Sequence, residues 1–329
     1  YQTWYQPQIV ELVVSGDVDI KTVIPLIEEK FSNWERGDTP RPEKQKVTSF
    51  NEDDYVEYAG REAPSITLTF NRGLNRVENH AQQHQRWLDE TAQQLIRQRL
   101  EAVFNDAALP TQWIASDNYQ MGALNYSSIS VGFPAGGREV IQQDLLSTLA
   151  SLRDFGVSET DIVGEQHYYQ DLLDNIEHDW DKMDSVEHAN YKASALVTDR
   201  IVQSQKDYQV SLEAFIANLS LEVINDNIKN LLSDDYFLVI GMDDSEDRTA
   251  IINSLDSLKA TYSETGIPPL TIGTASAFAV PSSQGEVVLA EQMSVDPYIQ
   301  KWTLSNGIDM WYLRDCLLYT SDAADDLGR

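Results

Sequence analysis

The sequence predicts an α+β fold: a two-layer α/β domain whose antiparallel-rich sheet is covered by helices, flanked by pieces of neighbouring repeats. Three observations predict it. Short apolar or alternating runs mark strands, chief among them Ser65-Ile66-Thr67-Leu68-Thr69-Phe70 and Tyr236-Phe237-Leu238-Val239-Ile240. Between them lie stretches with apolar residues at helical spacing. A unit of buried strand, then glycine and acid, then helix is found near both ends, once through Gly16 and once through Gly241, as duplicated domains require.

In chain order, Ile9-Val10-Glu11-Leu12-Val13-Val14 is expected to be a strand, and Ser15-Gly16-Asp17 a turn. Asp17 or Asp19 can cap the helix that follows, whose Val23, Leu26, Ile27 and Phe31 are expected to bury one face. Such a strand needs sheet neighbours that the residues before it cannot supply. Arg36 to Glu43, with two prolines and a glycine, is a linker. A new domain starts near Lys46, with short strands at Val47 to Phe50 and Tyr55 to Tyr58, and the half-buried strand Ser65 to Phe70. A long helix over Glu78 to Phe104 follows, then strands at Gln112 to Tyr119 and Ser127 to Phe133, closed by Pro134-Ala135-Gly136-Gly137.

The next helix carries Ile141, Leu145, Leu149, Leu152 and Phe155 on one side and ends at Gly156. Ser158-Glu159-Thr160-Asp161 opens another through an acidic capping box, with helical pattern to about Ser204. Ser220 caps a helix with Ile224, Ile228 and Leu231 inward. Tyr236 to Ile240 is a buried strand, and a last helix runs through Leu258. Gly266 to Pro281 and the polar stretch beyond form a linker. Lys301 to Tyr312 is a hairpin around Asn306-Gly307, which would open a further domain.

Composition narrows the function. The 329 residues suffice for one large domain or two ordinary ones, and 42% hydrophobic with 23% charged content is that of a globular protein. A net charge of −29 argues against nucleic acid and anionic lipid as partners. No apolar run approaches the ~18 residues of a membrane span. The single cysteine, Cys316, permits no intrachain disulfide. It stands in a tail from Cys316 to Arg329 whose composition shifts abruptly, and which is taken as non-native.

Four features in this order resemble the pitrilysin/insulinase family of zinc metallopeptidases: Trp4-Tyr5-x-Pro7, Val13-Val14-x-Gly16-Asp17-Val18-Asp19, Gly156-Val157-Ser158-Glu159 and Leu304-Ser305-Asn306-Gly307-Ile308. The likeness is to long single-chain bacterial zinc proteases and spans roughly residues 1 to 315. In such proteins four similar α/β domains enclose a peptide-cutting chamber. The resemblance implies that residues 1–35 end a truncated first, catalytic domain, 36–45 link, and 46–262 form a complete second, non-catalytic domain of the metallopeptidase-like type. It further implies a linker at 263–297, the first hairpin of a truncated third domain at 298–315, and a foreign tail at 316–329. Its functional implication is a chamber-wall domain of a zinc-dependent metalloendopeptidase acting on peptides or small proteins. The zinc ligands would lie outside this chain, the other domains of the same protein would be its partners, and the periplasm its location. The alternative is a catalytically dead relative serving as scaffold or processing partner.

The family's zinc motif, His-x-x-Glu-His, is not present. The nearest match is His80-Ala81-Gln82-Gln83-His84, with an amide at Gln83 where the base should be. It reads as the inactive counterpart of the motif or as chance, and no catalytic, cofactor or metal residue is assigned in this chain. The arginine and tyrosine that the family takes from a C-terminal domain have no match around Phe104-Asn105-Asp106. His178, Asp179, Asp181, Glu187 and His188 form a solvated run, and Asp179-x-Asp181-x-x-Asp184 lacks the glycine and glutamate of a calcium loop.

Overall fold

The computed structural model describes residues 5–38, 40, 52–74, 77–106, 111–121, 124–198, 200–264, 266–268, 286–292 and 299–313. The chain divides into two compact units, Tyr1–Ile272 and Gly273–Arg329. The expected strand Val47 to Phe50, the domain start at Lys46, Cys316 and the tail lie outside the described residues.

The first unit holds a five-stranded sheet of β1 (Tyr55–Tyr58), β2 (Ser65–Leu74), β3 (Trp113–Met121), β4 (Leu124–Gly132) and β5 (Tyr236–Met242), in the order β1-β5-β2-β4-β3. Only β1 and β5 pair in parallel; β2 with β5, β2 with β4, and β3 with β4 are antiparallel. The fold is therefore α/β with an antiparallel-rich sheet. Register explains why alternation in β2 matters. Ile66 stands between Val131 and Ile240, and Leu68 between Ile129 and Leu238. All six are fully buried, so each rung of one face is apolar across three strands.

That face is covered by α2 (His80–Asp106), α3 (Arg138–Phe155), α7 (Leu221–Ser233) and α8 (Arg248–Ser263). In α2 the residues Ala92, Ile96, Leu100 and Phe104 recur every fourth position and are buried. In α7 Ile224, Ile228 and Leu231 face inward as their spacing requires. Phe155, grouped with the inner face of α3 by its spacing, is 46% exposed, because the helix ends at that residue and the chain turns away. Gly156 closes α3 at φ +68°, and a side chain there would strike Asn225, whose amide holds Val157 through its backbone N–H at 2.8 Å and its carbonyl at 3.1 Å.

The helical pattern read as continuous to Ser204 is broken. Helix α4 (Glu159–Lys182) starts where the carboxylate of Asp161 accepts both the backbone N–H and the hydroxyl of Ser158 at 2.8 Å. It stops at Met183, and Asp184 caps α5 (Ser185–Val197) by accepting from Val186 and Glu187. Ser204 is an N-cap: it opens α6 (Gln205–Asn218), which periodicity alone left unassigned. The signals were the boxes Asp184-x-x-Glu187 and Ser204-x-x-Asp207, which cut an apolar period short of its apparent end.

Helix α4 buries an acid. Glu165 is 8% exposed, and its carboxylate accepts from the Gln98 amide at 3.2 Å. Burial pushes its pKa above the ordinary glutamate value. The unfolded chain ionises at the ordinary value and the folded chain only higher. Stability therefore falls as pH rises between these two values and is level above them. Glu165→Gln should remove its share of that slope and raise stability at neutral pH. Urea midpoints from pH 4 to 8 in parent and variant measure it; a slope that is the same in both would reject this assignment.

The N-terminal expectations change most. Residues 10–15 form no strand; a short 3-10 turn at Pro7–Ile9 precedes them, and Val10, Leu12 and Val14 are exposed. A strand exists only where another strand runs alongside to take its N–H and C=O groups, and among the described residues no strand pairs with this segment. Helix α1 (Ile20–Phe31) forms with Asp19 as its cap, yet buries no residue: Leu26 and Phe31 are exposed, Val23 and Ile27 only half-covered. Apolar spacing states which side a helix offers, not that anything lies against it.

The second unit is a three-stranded antiparallel sheet, β6 (Val287–Gln292), β7 (Ile299–Leu304) and β8 (Asp309–Leu313), in that order. The hairpin turns at Asn306-Gly307, with Gly307 at φ +85°. Trp302 and Tyr312 stack across it at 5.4 Å. Strand β6 falls inside the stretch read as linker. Its Val-Val-Leu-Ala run pairs with β7, which was hidden by the proline- and serine-rich residues before it.

Candidate functional site

Helix α2 starts at the sequence's one near-match to a metal motif and runs beside the edge strand β3. His84 lies inward from its first turn. Its Nε2 is 2.9 Å from the Ser211 carbonyl and 3.1 Å from the Ser211 hydroxyl on α6. A carbonyl only accepts, so Nε2 carries the proton. The ring stacks on Trp87 at 5.6 Å and meets Phe215 at 5.7 Å. Burial, the largest cause, lowers its pKa, with His80 adding to the effect against the Ser211 carbonyl. His80 reaches Gln203 through Nδ1 at 3.4 Å. Gln83 lines a separate hollow together with Trp87, Tyr191 and Tyr208.

This set does not fit zinc. With its Nε2–H held by Ser211, His84 can offer a metal only Nδ1, and an amide at Gln83 cannot take a proton from bound water. Among the described residues no group of three or more His, Cys, Asp or Glu is placed to hold a metal ion. The second acidic run is put to structural use. Asp184 is a helix cap, and Trp180 packs on His188 at 5.8 Å and Tyr191 at 5.8 Å.

The substantial concave feature of this region is a polar cleft of about 480 Å³ between α2, the strands β2 to β4, and Arg200 beyond α5. Four arginines line it: Arg72, Arg86, Arg97 and Arg200. Its floor is a buried network. Asp89, 6% exposed, accepts from Gln85 at 3.0 Å, Asn227 at 3.1 Å and Arg72 at 3.2 Å. Arg72 also pairs with Asp234. Higher up, Gln93 bonds Asn118 at 3.3 Å and accepts from Ser116. The cleft is thus rich in amides, which can both donate to and accept from a peptide backbone. Sequence reading missed it because its residues come from β2, α2, β3 and the α5–α6 connection. Its local pairs are Arg86 with Glu90 and Arg97 with Glu101, each spaced by four on one helix.

The family profile described as the Peptidase M16 inactive domain matches residues 1–167. No curated protein matches the chain. Among solved structures, a predicted insulinase family protease from Yersinia pestis is similar with a TM-score of 0.63 at 16% identity, over 75% of this chain and 53% of that one. The periplasmic protease PqqL from Escherichia coli gives 0.62 at 14%, over 92% of this chain and 34% of that one. The ferredoxin protease FusC, solved with Arabidopsis ferredoxin, gives 0.60 at 12%, over 91% and 34%. At such identities the likeness is one of fold. This chain spans about half of the first and a third of the other two. The profile match over half the chain and the antiparallel-rich sheet under helices agree, and the chain belongs to the insulinase/pitrilysin (M16) peptidase family, as a non-catalytic domain of it.

Proposed function

We propose that this chain is one part of a longer zinc-dependent metalloendopeptidase and forms a wall of its substrate chamber, the zinc site being carried by another domain. The observation that carries the reading is α2. Its first turn carries the near-match His80-x-x-Gln83-His84, with Gln83 for the base and His84 turned into the aromatic core, which supports reading it as the inactive counterpart of the family's metal helix. Residues 1–35 would complete a preceding domain, which accounts for the uncovered apolar side of α1. The sheet β6–β8 would open a following one. Peptides or small proteins are the substrate class of such an enzyme. The periplasm is supported by the similarity to PqqL, and no helix among the described residues is long and apolar enough to cross a membrane.

The purified chain is expected to cleave no peptide and to retain less than one equivalent of zinc after dialysis. Metal analysis and a quenched-fluorescence peptide assay measure both. One tightly held equivalent, lost in His84→Ala, would overturn the proposal. The same assays on the longer protein separate a protease from a catalytically dead scaffold.

A further inference from the structure

The arginine cleft has a charge balance that its architectural role leaves unused. Three of its four guanidiniums are neutralised by acids of the chain itself. Arg72 pairs with Asp89 and Asp234, Arg86 with Glu90 at 2.8 Å, and Arg97 with Glu101 at 3.8 Å. Arg200 is different. Among the described residues no carboxylate lies within ion-pair distance of it, which sets it apart from Arg72 and Arg97, whose Nε atoms, like its own, are buried with no hydrogen-bond partner. The charges acting on it are Arg86, which opposes its own, and Glu90, which Arg86 already engages. Desolvation is the main cause lowering its pKa. Asp117, the remaining acid of the lining, stands exposed on β3. A half-buried guanidinium without a counter-charge is costly in a protein, and most of all where acids outnumber bases 53 to 24.

We propose that this cleft binds a carboxylate-bearing peptide, with the carboxylate on the Arg200 guanidinium and the peptide backbone against the amides of Gln93, Gln94 and Asn118. One uncompensated cation matches a monoanion, and the planar fork of arginine takes a carboxylate through two parallel N–H bonds. A phosphate dianion would need a second free cation, which the three internal pairs deny it. The net charge of −29 repels anions at long range, but at ~150 mM salt that field decays over about 8 Å, whereas a contact inside the cleft persists. A free peptide C-terminus and a glutamate side chain offer the same chemistry. The inference concerns this chain alone and does not depend on whether the longer protein is an active protease.

The test follows the arginine Nε–Hε resonances of the full ¹⁵N-labelled chain during titration with three peptides. They are acetyl-pentaalanine with a free terminal carboxylate, acetyl-tetraalanyl-glutamate amide, and acetyl-tetraalanyl-glutamine amide. At least one carboxylate peptide should shift the Arg200 signal saturably, the one that does so naming the source, while the glutamine peptide leaves it in place. Arg200→Gln should weaken binding about tenfold or more, and Arg200→Lys less, since the charge survives without the fork. The Arg200 backbone N–H bonds Ala195 at 2.8 Å whatever the side chain, so both variants should fold, as circular dichroism checks. Arg61→Gln, on an exposed turn, should bind as the parent does. Equal binding of the glutamine peptide, unchanged affinity in Arg200→Gln, tighter binding of inorganic phosphate than of either carboxylate, or no saturable shift would each overturn the proposal.

Discussion

Asp89→Ala is expected to cost about 3–5 kcal/mol, among the largest effects of any single substitution in the chain. The carboxylate is buried and takes three donors, Gln85, Asn227 and Arg72. Arg72 itself has a side chain only 11% exposed, and its Nε already lacks a partner. Removing Asp89 strands the guanidinium beside Asp234, which is 42% exposed and well hydrated, and leaves the buried Asn227 amide short of an acceptor, whereas the exposed Gln85 keeps its bond to Asn227 at 2.8 Å. Asp89→Asn keeps one acceptor oxygen and should lose less. Replacing both ions with apolar residues, Arg72→Met with Asp89→Leu, should recover part of the loss, because the desolvation cost of the pair then disappears. Urea midpoints at constant m-value measure all three. A double variant no more stable than Asp89→Ala would show that the network's geometry matters more than its uncompensated charge.

Trp87→Ala should cost a similar 3–5 kcal/mol, but the damage should be local. The indole is 6% exposed and is the hub of an aromatic cluster: Phe215 at 5.2 Å, Tyr208 edge-on at 5.7 Å and His84 stacked at 5.6 Å. Tyr169 of α4 joins through Phe215 at 4.8 Å, and its hydroxyl contacts Thr91 at 3.0 Å. Burial raises the Tyr169 pKa far above its ordinary value, so the hydroxyl stays protonated and keeps donating. This cluster is what ties α6 and α4 to α2. Hydrogen exchange should therefore accelerate first in α6 (Gln205–Asn218), while β2 and β5 keep their protection. Uniform acceleration across sheet and helices would mean that the cluster is not a separate cooperative unit.

The residues themselves made much of this legible. Strand β2 was visible because a two-residue period with one buried face admits no other register, and β5 because a short continuous apolar run suits a buried strand. The hairpin at Asn306-Gly307 followed from the turn's demand for positive φ. The caps at Asp19, Ser158 and Ser220 are local bonds over three residues, and they formed as expected. The family was visible as well, in Gly156-Val157-Ser158-Glu159 and the other ordered motifs. Three expectations failed for one shared reason. The strand at residues 9–14, the buried face of α1 and the linker that contains β6 each depend on whether a partner lies alongside, and a local pattern carries no such information.

By itself, then, the sequence determined the class of fold and the order of most elements, since these rest on periodicity and capping. Tertiary structure alone decided that His84 serves the core through Ser211 and Trp87, and that arginines from three separate elements meet in one cleft with Arg200 left over. The physical reason is range. A cap or an alternating strand is settled within a few residues, whereas the burial of a charge and the pairing of an ion depend on what distant segments bring beside it.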